Sequence, residues 1–367
     1  MLNPSQFRDL VSGRRRGPTA ALMRLALRAA EGPYALAMRW RNRRYDTGAA
    51  AVHRVGVPVV SVGNLTLGGT GKTPMVEWIA RWFCTRGVRI AVVSRGYGAK
   101  AGSRNDEALE LTQKLADVSQ LQDPDRVAAA RRAVEELGSQ VIVLDDAFQH
   151  RRIHRDLDLV LVDALEPFGF GHVFPRGTLR EPLAGLRRAD VVALSRADML
   201  PPQRRNDIFQ TVARYAPSAA TIESAHAPRC LLSSTGAEAP FDSLRGQPVA
   251  AFSGIGNPAG FRHTLEGCGY QLAAFREFPD HHRYTAADVA SLTRWTEELA
   301  PAAVLCTHKD LVKLSVDRLG ETPLWAVAVG LEILGGREAL ERRLQALFDP
   351  FCPPRKAESP PRRGESQ

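Results

Sequence analysis

A glycine-rich stretch follows an apolar strand pattern and ends in a Lys-Thr pair. It reads VVSVGNLTLGGTGKTP over residues 59–74. Small residues let backbone N–H groups approach phosphate oxygens, and a helix that begins at such a loop adds a favourable dipole. In this arrangement Lys72 would reach the β- and γ-phosphates of a nucleotide, and the Thr73 hydroxyl would hold Mg²⁺. The predicted phosphate loop consists of Thr66, Leu67, Gly68, Gly69, Thr70, Gly71, Lys72 and Thr73.

The first position of this loop departs from the usual G-x-x-x-x-G-K-[ST] pattern, because Thr66 stands where the pattern has Gly. The alternative is a glycine-rich turn between a strand and a helix that binds no ligand. The apolar strand before the loop and the helix pattern after it favour phosphate binding over that alternative.

Two adjacent carboxylates end another apolar run, VIVLDD, at residues 141–146. Asp145 and Asp146 would repel one another at the end of a buried strand, so a bound cation is their natural partner. A phosphate loop also needs an acidic residue for the Mg²⁺ that accompanies the nucleotide. The pair therefore predicts a Mg²⁺ site beside the loop, with an N-cap for the following turn as the alternative role.

Two further polar motifs follow strand patterns. Residues 195–198 read Ser-Arg-Ala-Asp, and residues 307–310 read Thr-His-Lys-Asp. Each lies where the guanine-specific motif N-K-x-D would lie, but neither matches that motif well. We interpret both as residues at the nucleotide edge or as structural residues, and not as evidence for GTP.

The elements that must position these loops alternate along the chain, and this alternation is typical of a parallel sheet covered on both faces. The first group has predicted strands at 57–63, 90–94, 141–146, 157–164 and 189–198, with helices at 73–86 and 124–137. Near residue 240 the pattern restarts, with strands at 248–256, 270–278, 302–310 and 324–333 and helices at 258–267 and 285–299. The predicted fold class is α/β, a P-loop NTPase-like parallel sheet domain with a second, smaller α/β domain.

Length and composition agree with a folded protein of two domains. The chain has 367 residues, with 44% hydrophobic and 24% charged residues, which excludes disorder over the whole length. No apolar run reaches the roughly 18 uncharged residues of a membrane span. The five cysteines lie far apart, which argues against a structural zinc site or a disulfide framework and favours a reducing compartment. The predicted divisions are an N-terminal segment (1–55), a phosphate-loop core (56–240), a smaller α/β domain (241–345) and a disordered tail (346–367).

The positive charge is concentrated at the N-terminus. Residues 1–55 contain eleven arginines and three acidic residues, which accounts for +8 of the net charge of +9. Residues 19–45 predict a helix, which Gly32-Pro33 is expected to break. Leu22, Leu25 and Ala29 share one face of it. Apolar residues beside an arginine cluster are typical of a helix that lies at a membrane surface. The alternative is a helix packed on its own domain with its arginines in solvent.

Five motifs spread over most of the chain carry a family resemblance. They are GNLTLGGTGKTP, SRGYG (94–98), LDDAFQHRRIHRDLDLVLVDA (144–164), FPRGTLREP (174–182) and FPDHHRY (278–284). Together they resemble the tetraacyldisaccharide 4'-kinases, over about residues 15–345. The resemblance implies transfer of the γ-phosphoryl group of ATP to the 4'-hydroxyl of a tetraacylated disaccharide 1-phosphate, which gives lipid IVA. It also implies a peripheral enzyme at the cytoplasmic face of a Gram-negative inner membrane, anchored by the N-terminal helix.

The same resemblance implies roles for individual residues. The phosphate loop and the Asp pair carry over directly. Asp106 is the implied base for the acceptor hydroxyl. It lies in Arg-Asn-Asp-Glu (104–107), where Asn105 replaces a family Gly and tolerates the same left-handed backbone. The family's Asp-His pair matches Asp280-His281, which makes His281 the implied partner of Asp106.

Five more residues are implied at the substrate or the metal. Arg95 and Tyr97 would bind substrate or nucleotide phosphate, Gln149 and His150 would orient substrate, and Glu181 would be a direct or indirect Mg²⁺ ligand. Each also has a structural alternative. These are a surface position for Arg95, an exposed loop position for His281, a structural role for His150, and an ion pair of Glu181 with Arg180 or Arg187.

Two other classes of function compete with the kinase. One is a P-loop GTPase or metallochaperone, which would need a clear guanine motif and clustered Cys or His ligands. The other is a non-enzymatic ATP-dependent partition or scaffold protein. A nucleic-acid binder is disfavoured, because the positive charge is confined to one segment that also carries apolar residues. We expect an acylated disaccharide 1-phosphate and an anionic membrane surface as partners, with no obligate protein partner.

Overall fold

The computed structural model of the protein describes residues 4–96, 115, 117–280, 282–314 and 316–348. In the first part of the chain the helices are α1 (Pro4–Val11), α2 (Pro18–Asp46), α3 (Lys72–Cys84), α4 (Arg126–Glu135) and α5 (Pro202–Tyr215). The strands there are β1 (Val59–Asn64), β2 (Ile90–Ser94), β3 (Ser119–Gln122), β4 (Val141–Asp145), β5 (Leu157–Asp163), β6 (Val191–Ser195), β7 (Ala220–Leu232) and β8 (Glu238–Pro240).

The second part of the chain repeats the alternation of strands and helices. Its strands are β9 (Pro248–Ser253), β10 (Gln271–Glu277), β11 (Ala303–Thr307), β12 (Arg318–Leu319) and β13 (Thr322–Gly335). Its helices are α6 (Pro258–Gly267), α7 (Ala286–Leu299), α8 (His308–Leu314) and α9 (Arg337–Phe348).

The strands of both parts form one sheet within the described residues. Its order is β10-β9-β11-β13-β7-β6-β5-β1-β4-β2-β3, with β8 beside β7 and β12 beside β13. Most neighbours are parallel, and β1 lies between β4 and β5. The carboxyl ends of parallel neighbours meet at one edge of a sheet, where α/β proteins bind ligands. The predicted phosphate loop follows β1 at this edge, and the Asp pair follows β4.

The parts of the chain on either side of residue 240 are joined through the sheet and through a shared apolar cluster. The long strand β13 pairs antiparallel with β7, from Ala326 opposite Leu232 to Gly335 opposite Glu223. Leu340 of α9 belongs to the same apolar cluster as α3 and β1. The P-loop NTPase-like α/β fold is therefore confirmed, with the second group of strands continuing the same sheet. The predicted domain limits stay predictions.

The strands and helices that the sequence predicts agree with the structure to within a few residues. The sequence pattern did not predict the strands β3, β7, β8 and β12 or the helices α1, α5, α8 and α9. The predicted strand 302–310 ends at Thr307, because His308 begins α8. The helix prediction for 19–45 is confirmed as α2, but the break at Gly32-Pro33 is wrong, because α2 continues through Pro33. Pro33 lacks only one helical N–H group, and Gly32 has no Cβ to clash with the proline ring.

The helix α2 has one face on the protein and one in solvent. On the inner face, Tyr34 donates a hydrogen bond to the Arg180 carbonyl, and Glu31 accepts one from the Val173 N–H group. The outer face exposes four large apolar side chains, Leu22 (69%), Leu25 (65%), Leu36 (66%) and Trp40 (62%). Among the described helices, none is long and apolar enough to cross a membrane.

Candidate active site

The phosphate loop leaves β1 at the centre of the sheet and leads into α3. Gly71 is the residue before α3 and has a left-handed backbone with φ 83°, which L side chains rarely adopt. Gly68 also lies in this region, with φ 107°. The Thr70 hydroxyl is buried and has no hydrogen-bond partner among the described residues. The loop therefore has the backbone shape and the unused donor expected of a ligand-binding loop.

Side chains from the end of β1 and from two distant segments fix the loop through its carbonyl oxygens. Asn64 Nδ2 and Arg180 Nε donate hydrogen bonds to the Thr66 carbonyl at 2.9 and 3.1 Å. Arg196 Nη2 donates to the Gly69 carbonyl at 3.2 Å and also forms an ion pair with Asp163. The Leu67 N–H group donates to the Thr178 carbonyl at 2.7 Å, so the N–H groups that could bind phosphate oxygens are those that follow Leu67 in the loop.

Lys72, Asp146 and Arg180 form an ion cluster at the start of α3. Lys72 Nζ lies 3.6 Å from Asp146 Oδ1, and Arg180 Nη1 contacts both Asp146 oxygens at 2.8 and 2.9 Å. Burial raises the pKa of Asp146, but Lys72, Arg180 and Arg126 outweigh this and hold it below its ordinary value. The carboxylate is thus ionised at neutral pH. Two cations therefore converge on one carboxylate at the start of α3.

Three of the residues predicted to hold Mg²⁺, namely Thr73, Asp145 and Asp146, lie at or beyond the carboxyl ends of the neighbouring parallel strands β1 and β4. Asp145 is buried at the end of β4, beside Asp146, and Thr73 is buried in the first turn of α3. Arg126 Nη2 donates to the carbonyls of both Asp145 and Asp146 at 3.0 Å, which fixes the backbone of the pair. Carboxylate and hydroxyl oxygens are the donors Mg²⁺ prefers, with phosphate and water completing its shell. The donor set therefore fits Mg²⁺.

The Glu181 side chain is fully buried, and Gln149 links it to the segment just before the phosphate loop. Its carboxylate accepts hydrogen bonds from Asn42 Nδ2 (2.6 Å) and Gln149 Nε2 (3.1 Å), and it forms an ion pair with Arg188 (2.8 Å). Gln149 Nε2 also donates to the Asn64 carbonyl at 3.0 Å. This network ties α2 to the phosphate loop. The ion pair is with Arg188, neither of the partners that the sequence suggested.

His150 follows the Asp pair and lies among arginines. Burial, together with Arg126, Arg152 and other neighbouring arginines, lowers the pKa of His150 to about 4. The imidazole is therefore neutral at pH 7. Its carbonyl accepts a hydrogen bond from Arg155 Nη1 at 3.0 Å.

The loop between β9 and α6 lies across from the phosphate loop, and α1 joins the two. Arg8 Nη1 of α1 donates to the Gly256 carbonyl at 3.4 Å, and Arg8 Nε forms an ion pair with Glu166 at 3.0 Å. Arg8 Nη2 lies 3.3 Å from where a Cβ atom on Gly68 would be. An added Cβ on Gly256 would lie 2.9 Å from Asp280 Oδ2. One arginine thus separates the phosphate loop from the segment that carries Asp280.

Comparison with known proteins identifies the family. The sequence model described as tetraacyldisaccharide-1-P 4'-kinase matches residues 23–349. The tetraacyldisaccharide 4'-kinase of Anaeromyxobacter sp. (strain K) is 42% identical over 366 residues, which cover 95% of this chain and 97% of the relative. The chain belongs to the tetraacyldisaccharide 4'-kinase family.

A second relative and a solved structure of the family are also similar to this chain. The tetraacyldisaccharide 4'-kinase of Syntrophus aciditrophicus (strain SB) is 36% identical over 77% of this chain and 82% of its own length. The crystal structure of LpxK from Aquifex aeolicus, described as an "apo" form in complex with ATP, has 30% identity and a TM-score of 0.70. It covers 89% of this chain and 99% of its own. Membership of this kinase family disfavours the P-loop GTPase and metallochaperone alternative.

Three predicted residues of the kinase site lie outside the described residues, namely Tyr97, Asp106 and His281. Arg95 is among the described residues and lies exposed just after β2. Its positive charge contributes to lowering the pKa of Arg126. The roles predicted for all four residues stay predictions.

Sequence reasoning missed the arginines that complete the kinase site. Arg8, Arg126, Arg180 and Arg196 all contact the phosphate loop or the Asp pair, and only Arg180 lies in a motif used for the resemblance. The sequence offered one signal for Arg196, the Ser-Arg-Ala-Asp motif after a strand. Arg196 also has a left-handed backbone, with φ 57°, which local sequence does not reveal.

Proposed function

We propose that the protein transfers the γ-phosphoryl group of ATP to the 4'-hydroxyl of a tetraacyldisaccharide 1-phosphate, giving lipid IVA in lipid A biosynthesis. The observation that carries this proposal is the Lys72–Asp146–Arg180 cluster at a phosphate loop in a chain of this family. The family structure from Aquifex aeolicus, described as a complex with ATP, supports ATP as the donor.

On the phosphate side, the chain supplies shape and positive charge. The backbone N–H groups of the loop bind phosphate oxygens, and Lys72 and Arg180 stabilise the charge that develops on the transferred group. Asp146 keeps both cations in place before the nucleotide binds. Mg²⁺, when bound, would neutralise phosphate charge. Because Asp146 is already engaged by two cations, we assign the direct contact with Mg²⁺ to Asp145 and Thr73.

On the acceptor side, we propose that Asp106 accepts the proton of the 4'-hydroxyl, with His281 as its partner. A sugar hydroxyl is a poor nucleophile, so its placement in line with the γ-phosphoryl group matters most. Arg95, Tyr97 and His150 are proposed to bind the acceptor or its phosphate. Since the Gln149 amide nitrogen is used inside the protein, only its amide oxygen remains for substrate. For Glu181, the three donors around its carboxylate favour an indirect role at the metal.

The exposed face of α2 is proposed to lie on the cytoplasmic face of the inner membrane. Leu22, Leu25, Leu36 and Trp40 lie on one side of the helix, and the last turns carry Arg39, Arg43 and Arg44. Apolar side chains would enter the headgroup region, while each arginine adds about 1 kcal/mol of attraction to anionic lipid. An acylated acceptor in the membrane would then meet the site beside α2.

The test is transfer of ³²P from γ-labelled ATP to the tetraacyldisaccharide 1-phosphate by the purified full-length protein with Mg²⁺. We expect label in a lipid product only when the acceptor is present. Phosphate release that is the same with and without the acceptor would contradict the proposal and favour a non-enzymatic ATP-dependent role.

A further inference from the structure

The Thr-His-Lys-Asp motif, which the proposed reaction does not use, ends in a buried carboxylate. Asp310 is fully buried in the first turn of α8. Its Oδ atoms accept hydrogen bonds from the Gly254 N–H group (3.1 and 3.2 Å), the Tyr284 hydroxyl (3.0 Å) and the Thr307 hydroxyl (2.6 Å). Three donors from three segments therefore converge on one side chain.

Two of these segments lie at the proposed acceptor side. Gly254 begins the loop from β9 to α6, and Tyr284 ends the Phe-Pro-Asp-His-His-Arg-Tyr motif. A Cβ atom added to Gly254 would lie 3.0 Å from Asp310 Oδ1, 3.1 Å from the Tyr284 hydroxyl oxygen and 3.3 Å from His282 Cβ. There is thus no room between the loop and the motif, and a larger residue at Gly254 would push them apart.

The same loop reaches toward the phosphate side. Gly256, two residues after Gly254, lies against the Asp280 carboxylate and accepts the hydrogen bond from Arg8. Arg8 in turn approaches Gly68 of the phosphate loop. A displacement of the β9–α6 loop would therefore move Asp280 relative to the phosphate loop.

The hydrogen bond from Tyr284 is maintained over the whole physiological range of pH. Burial and the neighbouring Asp310 carboxylate both raise the pKa of Tyr284 well above its ordinary value. The phenol keeps its proton and remains a donor. A buried carboxylate with hydrogen-bond donors around it is a stable anchor, because each unmade bond would leave a buried polar group without its partner.

We propose that Asp310 is a positioning residue for phosphoryl transfer, which holds the β9–α6 loop against the segment that contains Asp280 and Tyr284. It sets the distance between this segment and the phosphate loop and does not itself touch the substrate. Asp310 can act in this way only if His281 has its proposed role, so its assignment rests on the proposed function.

Asp310→Asn tests this assignment. The amide keeps the size of the side chain but turns one acceptor into a donor, which then faces Gly254 N–H, Tyr284 or Thr307. We expect kcat to fall by about 100-fold, as a displacement of about 1 Å can cause, while KM for ATP stays at the wild-type value. Asp317→Asn, which removes the charge of an exposed aspartate in the same part of the chain, should leave kcat unchanged.

A second variant and a double variant separate positioning from folding. Tyr284→Phe removes one donor and should lower kcat about 3- to 10-fold, with the thermal unfolding midpoint measured alongside. Asp310→Asn combined with His281→Ala should be no slower than His281→Ala alone, since both act through one unit. If Asp310→Asn does not fold, Tyr284→Phe decides in its place.

The outcomes are distinguishable. The role of Asp310 would be overturned by a wild-type kcat in Asp310→Asn, or by a loss of kcat no larger than the fraction of unfolded protein. The proposed function would then stay intact if His281→Ala is impaired. Wild-type kcat in His281→Ala would overturn the acceptor assignment itself, and the role of Asp310 with it.

Discussion

Two carboxylates of the site are held in different ways, Asp146 beside the phosphate loop by cations and Asp310 beside the β9–α6 loop by neutral donors. Asp146 is held by Lys72 and Arg180, while Asp310 is held by a backbone N–H group and two hydroxyls. We propose that the first arrangement places positive charge where phosphate charge develops. The second brings neutral donors to a buried carboxylate and fixes distances between segments. We therefore propose that one side of the site acts by electrostatic stabilisation and the other by position.

Lys72→Ala should have the largest effect on the phosphate side. We expect kcat to fall by a factor of about 10³ or more, because Lys72 compensates charge on the transferred group. Steady-state transfer to the acceptor is the measurement, with circular dichroism to show that the variant is folded. Retention of more than about a tenth of wild-type activity would contradict the electrostatic role of the phosphate loop.

On the acceptor side, Asp106→Ala should lower kcat by about 10²-fold or more with little change in KM for ATP. His281→Ala should lower kcat by roughly 10- to 10³-fold. If the two residues act as a unit, the double variant should be hardly slower than the poorer single variant. Multiplicative losses in this double-mutant cycle would mean that the residues act independently.

On the charge-rich phosphate side, His150 should make the stability of the folded protein decrease in acid. Its pKa of about 4 lies below the ordinary value of 6.5, so the unfolded chain binds this proton first as pH falls. Stability is therefore lost as pH falls from about 6.5 to about 4. His150→Gln should remove this part of the pH dependence in denaturant titrations at several pH values. An unchanged slope between pH 6.5 and pH 4 would show that His150 is not the group responsible.

Substitutions on the outer face of α2 should have the smallest effect on kcat. Replacing Leu22, Leu25, Leu36 and Trp40 with Ser should move the protein from the membrane to the soluble fraction, while kcat with detergent-dispersed acceptor stays at the wild-type value. Exposed leucines elsewhere, Leu137 and Leu334, provide the control substitutions. High salt alone should release the wild-type protein only partly. Complete release in 0.5 M salt would mean a purely electrostatic contact.

The sequence predicted those parts of the site that are contiguous along the chain. The phosphate loop and the Asp pair each lie between an apolar strand and a turn, so periodicity alone locates them. Arg180 and Asp310 could not be assigned in this way, because their partners lie far away in the chain and meet them only through the sheet order. The break expected at Pro33 was wrong for a different reason, since local propensity does not include the contacts of α2 with the protein.

The contrast between the two sides can be tested by measuring ATP hydrolysis without the acceptor and phosphoryl transfer with it, in the same preparations of two variants. Lys72→Ala should lose both activities, because both need charge on the phosphate side. Asp310→Asn should keep the wild-type rate of hydrolysis and lose only transfer. Loss of both activities in folded Asp310→Asn, or wild-type hydrolysis in Lys72→Ala, would contradict the division of the site into an electrostatic side and a positioning side.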